Sequence, residues 1–286
     1  MSLRCTLLKE VMVQLYMYQT FLKKINLEEK QILIWFKMNI GLVIGKKNSV
    51  GIPGKNLRKI LGRPSAEYAF IAAKYAKLDQ IFVSTDCNKI IRVAKKYNSK
   101  IINRPRKLCM PDSLTEDVLV HAYKEIGKVV DIKKIKSITL LFCNNPAIDV
   151  LKLKKAIKFI NNTKYFDSCF SVANYDMFSP IRARTLDKKK TIKPFTNLKN
   201  FKFKYSSIRG KGRKAYFCDF SIQVMKKICF EKMNEGNPPC KWQGKRSKAI
   251  FVDYGFDVDA DWQFVVIEHW LKQKGFTEKK IPWKKK

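Results

Sequence analysis

Two short stretches carry residue types that could do chemistry together. The first is Gly45-Lys46-Lys47-Asn48-Ser49-Val50-Gly51-Ile52-Pro53-Gly54-Lys55-Asn56, which follows an apolar run at residues 40–44. Glycine lets backbone N–H groups approach an anion closely, and lysine adds point charge. The pattern is not a Walker loop, because Gly54-Lys55 would need Gly at 49 and Ser or Thr at 56, where Ser49 and Asn56 stand. It has no G-x-G-x-x-G frame either. Phosphate binding is one reading, and a lysine-rich surface turn is the other. The second stretch is Asp257-Val258-Asp259, expected directly after a strand over 249–256. Carboxylates one residue apart on a strand end point the same way. Both can then face one hard cation such as Mg²⁺, which is commonly held by one or two carboxylates plus substrate phosphates. The alternative is a chance aspartate pair opening the final helix, with Asp261, next to that helix, as the expected N-cap. Placed on one rim, the two stretches would hold a triphosphate and neutralise charge developing at phosphorus. An acceptor hydroxyl could then attack in line, with pyrophosphate leaving. That chemistry needs no protein nucleophile, and the sequence has no G-x-S-x-G elbow.

The elements that must position these residues alternate. Strands are expected at 40–44, 80–84, 100–103, 137–143 and 168–173, with further strands at 215–224 and 249–256. Helices are expected at 65–77, 89–97, 115–126, 150–160 and 261–272, with Thr115 capping the third. This β-loop-α order implies an α/β fold, a mostly parallel sheet with helices on both faces. Ligands in such sheets bind beyond the carboxyl ends of the strands. The loops 45–56, 85–88, 104–117 and 143–149 should therefore converge on one rim. Residues 174–214 are more polar and irregular, an excursion suited to substrate or subunit contacts. Three segments follow: an N-terminal extension over 1–37, with Met38 as the expected natural start; a main domain over 38–275; and a basic tail over 276–286, expected to fray from Ile281.

The 286 residues hold 59 Lys+Arg against 24 Asp+Glu, a net charge of +35, and only 11 of the cations are Arg. The lysines are spread along the chain, with no arginine stripe or RNP-type motif, which argues against a nucleic-acid footprint. The potential still attracts anions such as nucleotides and acidic sugars. The apolar run Val11–Leu22 is too short to span a bilayer. The eight cysteines form no C-x-x-C, and His121 and His269 stand far from any cysteine pair, so no zinc site or disulfide framework is expected. The expected compartment is the reducing cytoplasm. Arg209, Lys211, Arg213 and Lys214 cluster before a strand. They read equally as a site for a sugar carboxylate or pyrophosphate and as a solvated basic loop.

Taken in order, the motifs resemble those of the acylneuraminate cytidylyltransferase family. They are Gly51-Ile52-Pro53-Gly54-Lys55-Asn56-Leu57, Val83-Ser84-Thr85-Asp86, Arg104-Pro105 with Thr115-Glu116-Asp117, Leu140-Leu141-Phe142-Cys143-Asn144-Asn145-Pro146, Phe178-Ser179-Pro180-Ile181-Arg182-Ala183-Arg184, Lys241-Trp242-Gln243-Gly244 and Asp257-Val258-Asp259. The fourth leans toward a subgroup that modifies flagellin or surface glycans. The resemblance spans roughly residues 38–275. It implies a Rossmann-like nucleotidyltransferase fold and a homodimer. It also implies CTP and an acidic nine-carbon sugar as substrates, and Mg²⁺ as cofactor on Asp257 and Asp259. Lys46 stands where the family has a phosphate-binding Arg. Ser49, Lys55 and Asn56 fall in the nucleotide-binding loop, with Lys55 counted as catalytic beside the two aspartates. Arg104, Ser113, Thr115 and Glu116 match base and ribose contacts, and Asn144 another nucleotide contact. Two departures stand out in the loop. Val50 replaces the family's Lys, and Lys46 cannot grip phosphate with an arginine's fork. A third lies near residue 220, where Phe220-Ser221 replaces a common Gly. A catalytically weak relative, a nucleic-acid binder and a glycosyltransferase are the competing readings.

Overall fold

A computed structural model of the chain describes residues 37–48, 51–197, 199, 208, 214–253, 255 and 257–283. The extension over 1–36, Ser49, Val50, Arg209 and Arg213 lie outside them.

The alternating pattern folds as one seven-stranded sheet: β1 (Met38–Ile44), β4 (Gln80–Thr85), β5 (Lys100–Asn103), β6 (Ile135–Phe142), β7 (Ser168–Asn174), β10 (Tyr216–Met225) and β11 (Ser247–Phe251). Its order is β11-β7-β10-β6-β1-β4-β5. β1 pairs parallel with β4, β4 with β5, and β7 with β11, while β10 runs antiparallel between β6 and β7. Two small hairpins stand apart, β2 (Lys59–Ile60) with β3 (Arg63–Pro64), and β8 (Arg184–Leu186) with β9 (Ile192–Pro194). The second lies in the polar excursion, and its residues are exposed.

The helices are α1 (Ser65–Tyr75), α2 (Asn88–Lys95), α3 (Thr115–Gly127), α4 (Val150–Asn162), the single turn α5 (Ile228–Glu231) and α6 (Asp261–Gln273). Ala69, Phe70 and Ala73 of α1, Ile90 and Val93 of α2, and Leu153 and Ile157 of α4 pack with Val43, Val83 and Leu141 of the sheet in one core. Removing that apolar surface from water is the main drive for assembly. A second cluster joins α6 to α1 through Ile267, Trp270, Tyr68 and Ile71.

Three terminal expectations are corrected. Thr115 is the first helical residue of α3 with Leu114 before it, so its hydroxyl caps nothing. Asp261 likewise opens α6, and its N-cap is Ala260. There the side-chain oxygen of Gln263 accepts from the N–H groups of Asp259 (2.5 Å) and Ala260 (2.7 Å), while Asp261 pairs with Arg58. The segment expected to fray from Ile281 is packed through residue 283: Phe276 is 1% exposed, and Ile281 and Trp283 pack on the α1–α6 cluster, while 284–286 lie outside the described residues. The apolar side chains decide that segment against its lysines.

Candidate functional site

A cleft of about 370 Å³ opens at the carboxyl ends of β1, β5 and β6. Its polar lining includes Lys46, Lys55, Asn56, Arg104, Ser113, Thr115, Asn144, Asp257 and Asp259; Gly45, Gly51, Leu108, Val118 and Phe142 also line it. Three of the four expected loops line the cleft, and the 85–88 loop does not line it but touches the first loop through Asp86.

The first loop is fastened at several points. Gly45 passes so close to β6 that a Cβ there would lie 2.6 Å from Cys143 Sγ. Asp86 accepts from the Lys47 N–H at 2.7 Å, so this aspartate anchors the loop. Asn56 Nδ2 donates to the Lys46 carbonyl at 3.0 Å, tying the loop's two ends together. Lys46 Nζ donates to the Met110 carbonyl at 3.2 Å, linking the first loop to the one after β5. Gly54 takes φ 71°, a left-handed turn that glycine enters at no steric cost, and launches the short 3-10 turn Lys55–Leu57. That turn buries Lys55, which is 9% exposed, and aims its ammonium at Asp259, 2.5 Å away.

Arg104 follows β5 and is held by β4. Its Nη2 donates to the Ser84 carbonyl (2.7 Å) and its Nε to Ser84 Oγ (3.2 Å). Burial lowers its pKa from the ordinary arginine value. Ser113 donates to the Lys107 carbonyl at 2.8 Å, bracing the strap from 104 to 113.

The aspartate pair is not on a strand end. β11 stops at Phe251, and 257–259 is irregular chain. The two carboxylates still reach the same cleft, because Val258 between them is fully buried among Ala147, Phe264 and Ile267. The Val258 N–H donates to the Asn144 carbonyl at 2.9 Å. Asn145 Nδ2 donates both to Asp257 Oδ1 (3.1 Å) and to the Asp219 carbonyl (2.7 Å), pinning Asp257 from behind. Burial first, then the Asp259 charge, pushes the Asp257 carboxyl up to about 7. The Asp259 side chain is 69% exposed. Burial also raises the Asp219 carboxyl, which lies behind Asp257.

Of the candidates named from sequence, Lys46, Lys55, Asn56, Arg104, Ser113, Thr115, Asn144, Asp257 and Asp259 all face the cleft. Glu116 does not line it; it sits on the first turn of α3, and its charge acts on Cys240. Asn145, 1% exposed, was missed. It adjoins Asn144 in the quoted motif, but an asparagine's partner across the fold leaves no local pattern. Phe142, Leu108 and Val118 give the cleft an apolar side. Of the tryptophans, Trp242 and Trp270 are buried, whereas Trp262 is 61% exposed. No helix among the described residues is long and apolar enough to cross a membrane.

A mostly parallel sheet of this order, with a basic loop and two aspartates sharing the cleft beyond its strand ends, is a Rossmann-like fold of the nucleotidyltransferase type. Solved structures of that type superpose on it. One is a CMP:2-keto-3-deoxy-manno-octonic acid synthetase complexed with CTP, with TM-score 0.58 and 14% identity, covering 83% of this chain and all of that one. Another is a putative glucose-1-phosphate thymidylyltransferase from Bacillus anthracis, with TM-score 0.55 and 11% identity, covering 86% and 98%. At these identities the likeness is one of fold. The chain belongs to the cytidylyltransferase family, whose profile matches residues 40–201. Its curated relatives include a Helicobacter pylori protein named pseudaminic acid cytidylyltransferase and UDP-2,4-diacetamido-2,4,6-trideoxy-beta-L-altropyranose hydrolase, 26% identical over 147 residues. That match covers 49% of this chain and 28% of the relative. The N-acylneuraminate cytidylyltransferase of Oncorhynchus mykiss is 28% identical over 138 residues, covering 48% and 30%. The chain thus spans less than a third of the curated relatives it matches first.

Proposed function

We propose that this protein transfers CMP from CTP to an acidic nine-carbon sugar of the sialic or pseudaminic type and releases pyrophosphate. The observation that carries this reading is the shared nucleotide-sized cleft, lined together by buried Lys55, by Asp259 to which it is paired, and by Asp257. Lys46 and Lys55 would balance the triphosphate, and Arg104 would reach the base and ribose. Thr115, Ser113 and Asn144 supply hydroxyl and amide groups for base and ribose. The sugar hydroxyl attacks the α-phosphorus, the bond to the β-phosphate oxygen breaks, and the hydroxyl proton leaves with solvent. An all-oxygen carboxylate pair lining one cleft suits a hard divalent cation, and Asp257 and Asp259 would hold Mg²⁺. When bound, Mg²⁺ would neutralise charge developing on the phosphates. The relatives' names support the substrates, and the family match ranks this reading above glycosyl transfer and nucleic-acid binding. We place the enzyme in the cytoplasm, as a homodimer joined through the exposed excursion that carries β8 and β9.

A weaker enzyme is the second reading. It is favoured by Lys46, which replaces an arginine fork and spends a hydrogen bond on the Met110 carbonyl. The test is incubation with CTP, Mg²⁺ and a panel of nonulosonic acids, scored for pyrophosphate. Release with at least one acid is expected. CTP binding without release across the panel would favour the weak relative, and neither binding nor release would refute both.

A further inference from the structure

β10 is interrupted by a bulge between Cys218 and Gln223. Within it Phe220 stands at φ 56°, in the left-handed region that a bulky aromatic residue rarely enters. Such a conformation persists only where its surroundings over-determine it, and such outliers gather at functional sites. The bracing here is explicit. The Phe220 carbonyl accepts from Gln223 Nε2 at 3.0 Å, and Gln223 Oε1 accepts from Trp242 Nε1 at 3.0 Å. On the other flank, the Asp219 carbonyl accepts from Asn145, the same side chain that pins Asp257.

The constraint aims one ring. Phe220 lies 6.2 Å from Phe142 and 6.1 Å from Trp242, centroid to centroid. Phe142 lines the cleft, and Phe220 keeps part of its surface open. β10 neighbours β6 on the side away from β1, whose loop carries Lys46 and Lys55. The aromatic pair therefore flanks the cleft on the Asn145–Asp257 side, across β6 from β1, where an attacking acceptor fits.

We infer that Phe220 determines acceptor specificity: with Phe142 it forms an apolar wall that receives a methyl-bearing substituent, an N-acyl or terminal deoxy group, on the acidic sugar. This rests on the cytidylyl-transfer reading above and names the substrate class within it. A hydroxylated chain laid on two aromatic faces loses water without gaining a partner, whereas a methyl gains burial. Apolar contacts of this kind discriminate by roughly 10–200-fold.

The experiment compares the wild type with Phe220→Gly and Phe142→Leu. Each protein receives CTP, Mg²⁺ and either a nonulosonic acid with a glycerol side chain and no N-acyl group or one with two N-acyl groups and a terminal methyl. The wild type should favour the methyl-bearing acid in kcat/KM by about tenfold or more. Phe220→Gly should cut that ratio about fivefold or more through the acceptor KM, and leave the KM for CTP within about twofold. Glycine accepts φ 56°, so the bulge survives, and Phe142→Leu thins the wall without touching it. An unchanged ratio in both variants overturns the inference. Calorimetric titration of the two acids separates it from the reaction. If the wild type releases no pyrophosphate yet binds the methyl-bearing acid more tightly than Phe220→Gly does, the wall stands and the transfer reading falls. If the wild type binds neither acid, both fall.

Discussion

Asp257→Asn should stabilise the metal-free fold while abolishing turnover, and the two effects have one origin. Burial and the charge of Asp259 raise the Asp257 carboxyl from 3.8 to about 7. Below pH 4 the group is protonated folded and unfolded, and ionisation costs the fold nothing. As pH rises through the window from about 4 to about 7, the unfolded chain releases the proton and the folded one keeps it, so stability falls. Above pH 7 the folded carboxylate ionises too, and the loss is complete. At 1.36 kcal/mol per unit, the whole penalty is at most about 4 kcal/mol, of which roughly 2.5 develops between pH 5 and pH 8. Relaxation and solvent at the cleft edge bring the second figure nearer 1–2 kcal/mol, a rough allowance. Asparagine has no charge to bury, and its side-chain oxygen can still accept from Asn145. Urea unfolding in EDTA, run from pH 5 to pH 8.5 on both proteins, measures the difference directly. The advantage of Asp257→Asn should widen with pH, and Mg²⁺ should narrow it by stabilising only the wild type. Pyrophosphate release should drop by a factor of about 100 or more in the variant. Stability curves that stay parallel across the pH range would refute the reasoning.

Lys55→Met should lower pyrophosphate release by roughly 10²–10³. It should cost less than about 1 kcal/mol in a urea melt, because Asp259, the partner it abandons, is 69% exposed. Arg104→Lys forfeits the fork onto Ser84. Steady-state kinetics should show the KM for CTP rising by about tenfold, with a stability loss near 1 kcal/mol. Gly45→Ala drives a methyl to 2.6 Å from Cys143 Sγ, so thermal unfolding should show a loss of roughly 1–3 kcal/mol. Cys143→Ala made in the same chain should recover part of it, a coupling that a double-mutant cycle reads.

The layered α/β architecture was legible because its signals are local and periodic. Buried strands such as Gly41–Val43 and Ile81–Ser84 are short apolar runs closed by turn residues, and the helices between them repeat apolar positions at helical spacing. Once strands and helices alternate, the rule that loops gather beyond carboxyl ends places Lys46, Lys55, Arg104 and Asn144 together without further information. Other features are set by partners far away in the chain. Asn145 matters because its amide meets Asp219 and Asp257, 74 and 112 residues on. Residues 276–286 read as a tail that ends in three lysines, yet within it Phe276 and Trp283 find Tyr68 and Tyr75 of α1. Helix caps failed for a different reason. Thr115 and Asp261 are the residue types that cap, but each stands one position inside its helix, and at α6 the oxygen of Gln263 satisfies the free N–H groups.

The aspartate pair shows how a conclusion can survive the loss of its premise. Strand alternation predicts that Asp257 and Asp259 share a direction, yet 257–259 is irregular chain. What alternation needs is only that the middle residue be drawn the opposite way. Val258 supplies that pull, because its side chain is fully buried against Phe264 and Ile267 and its N–H is held by the Asn144 carbonyl. One hydrophobic anchor and one backbone hydrogen bond therefore do locally what a β-ladder does over many residues. The anchor also ties the pair to α6, while the hydrogen bond ties it to the loop after β6. A polar residue at 258 would free the middle of the segment, swing the two carboxylates apart and loosen the Asp259 pairing with Lys55. For that reason Val258, which has no chemistry of its own, controls the geometry of the two residues that do.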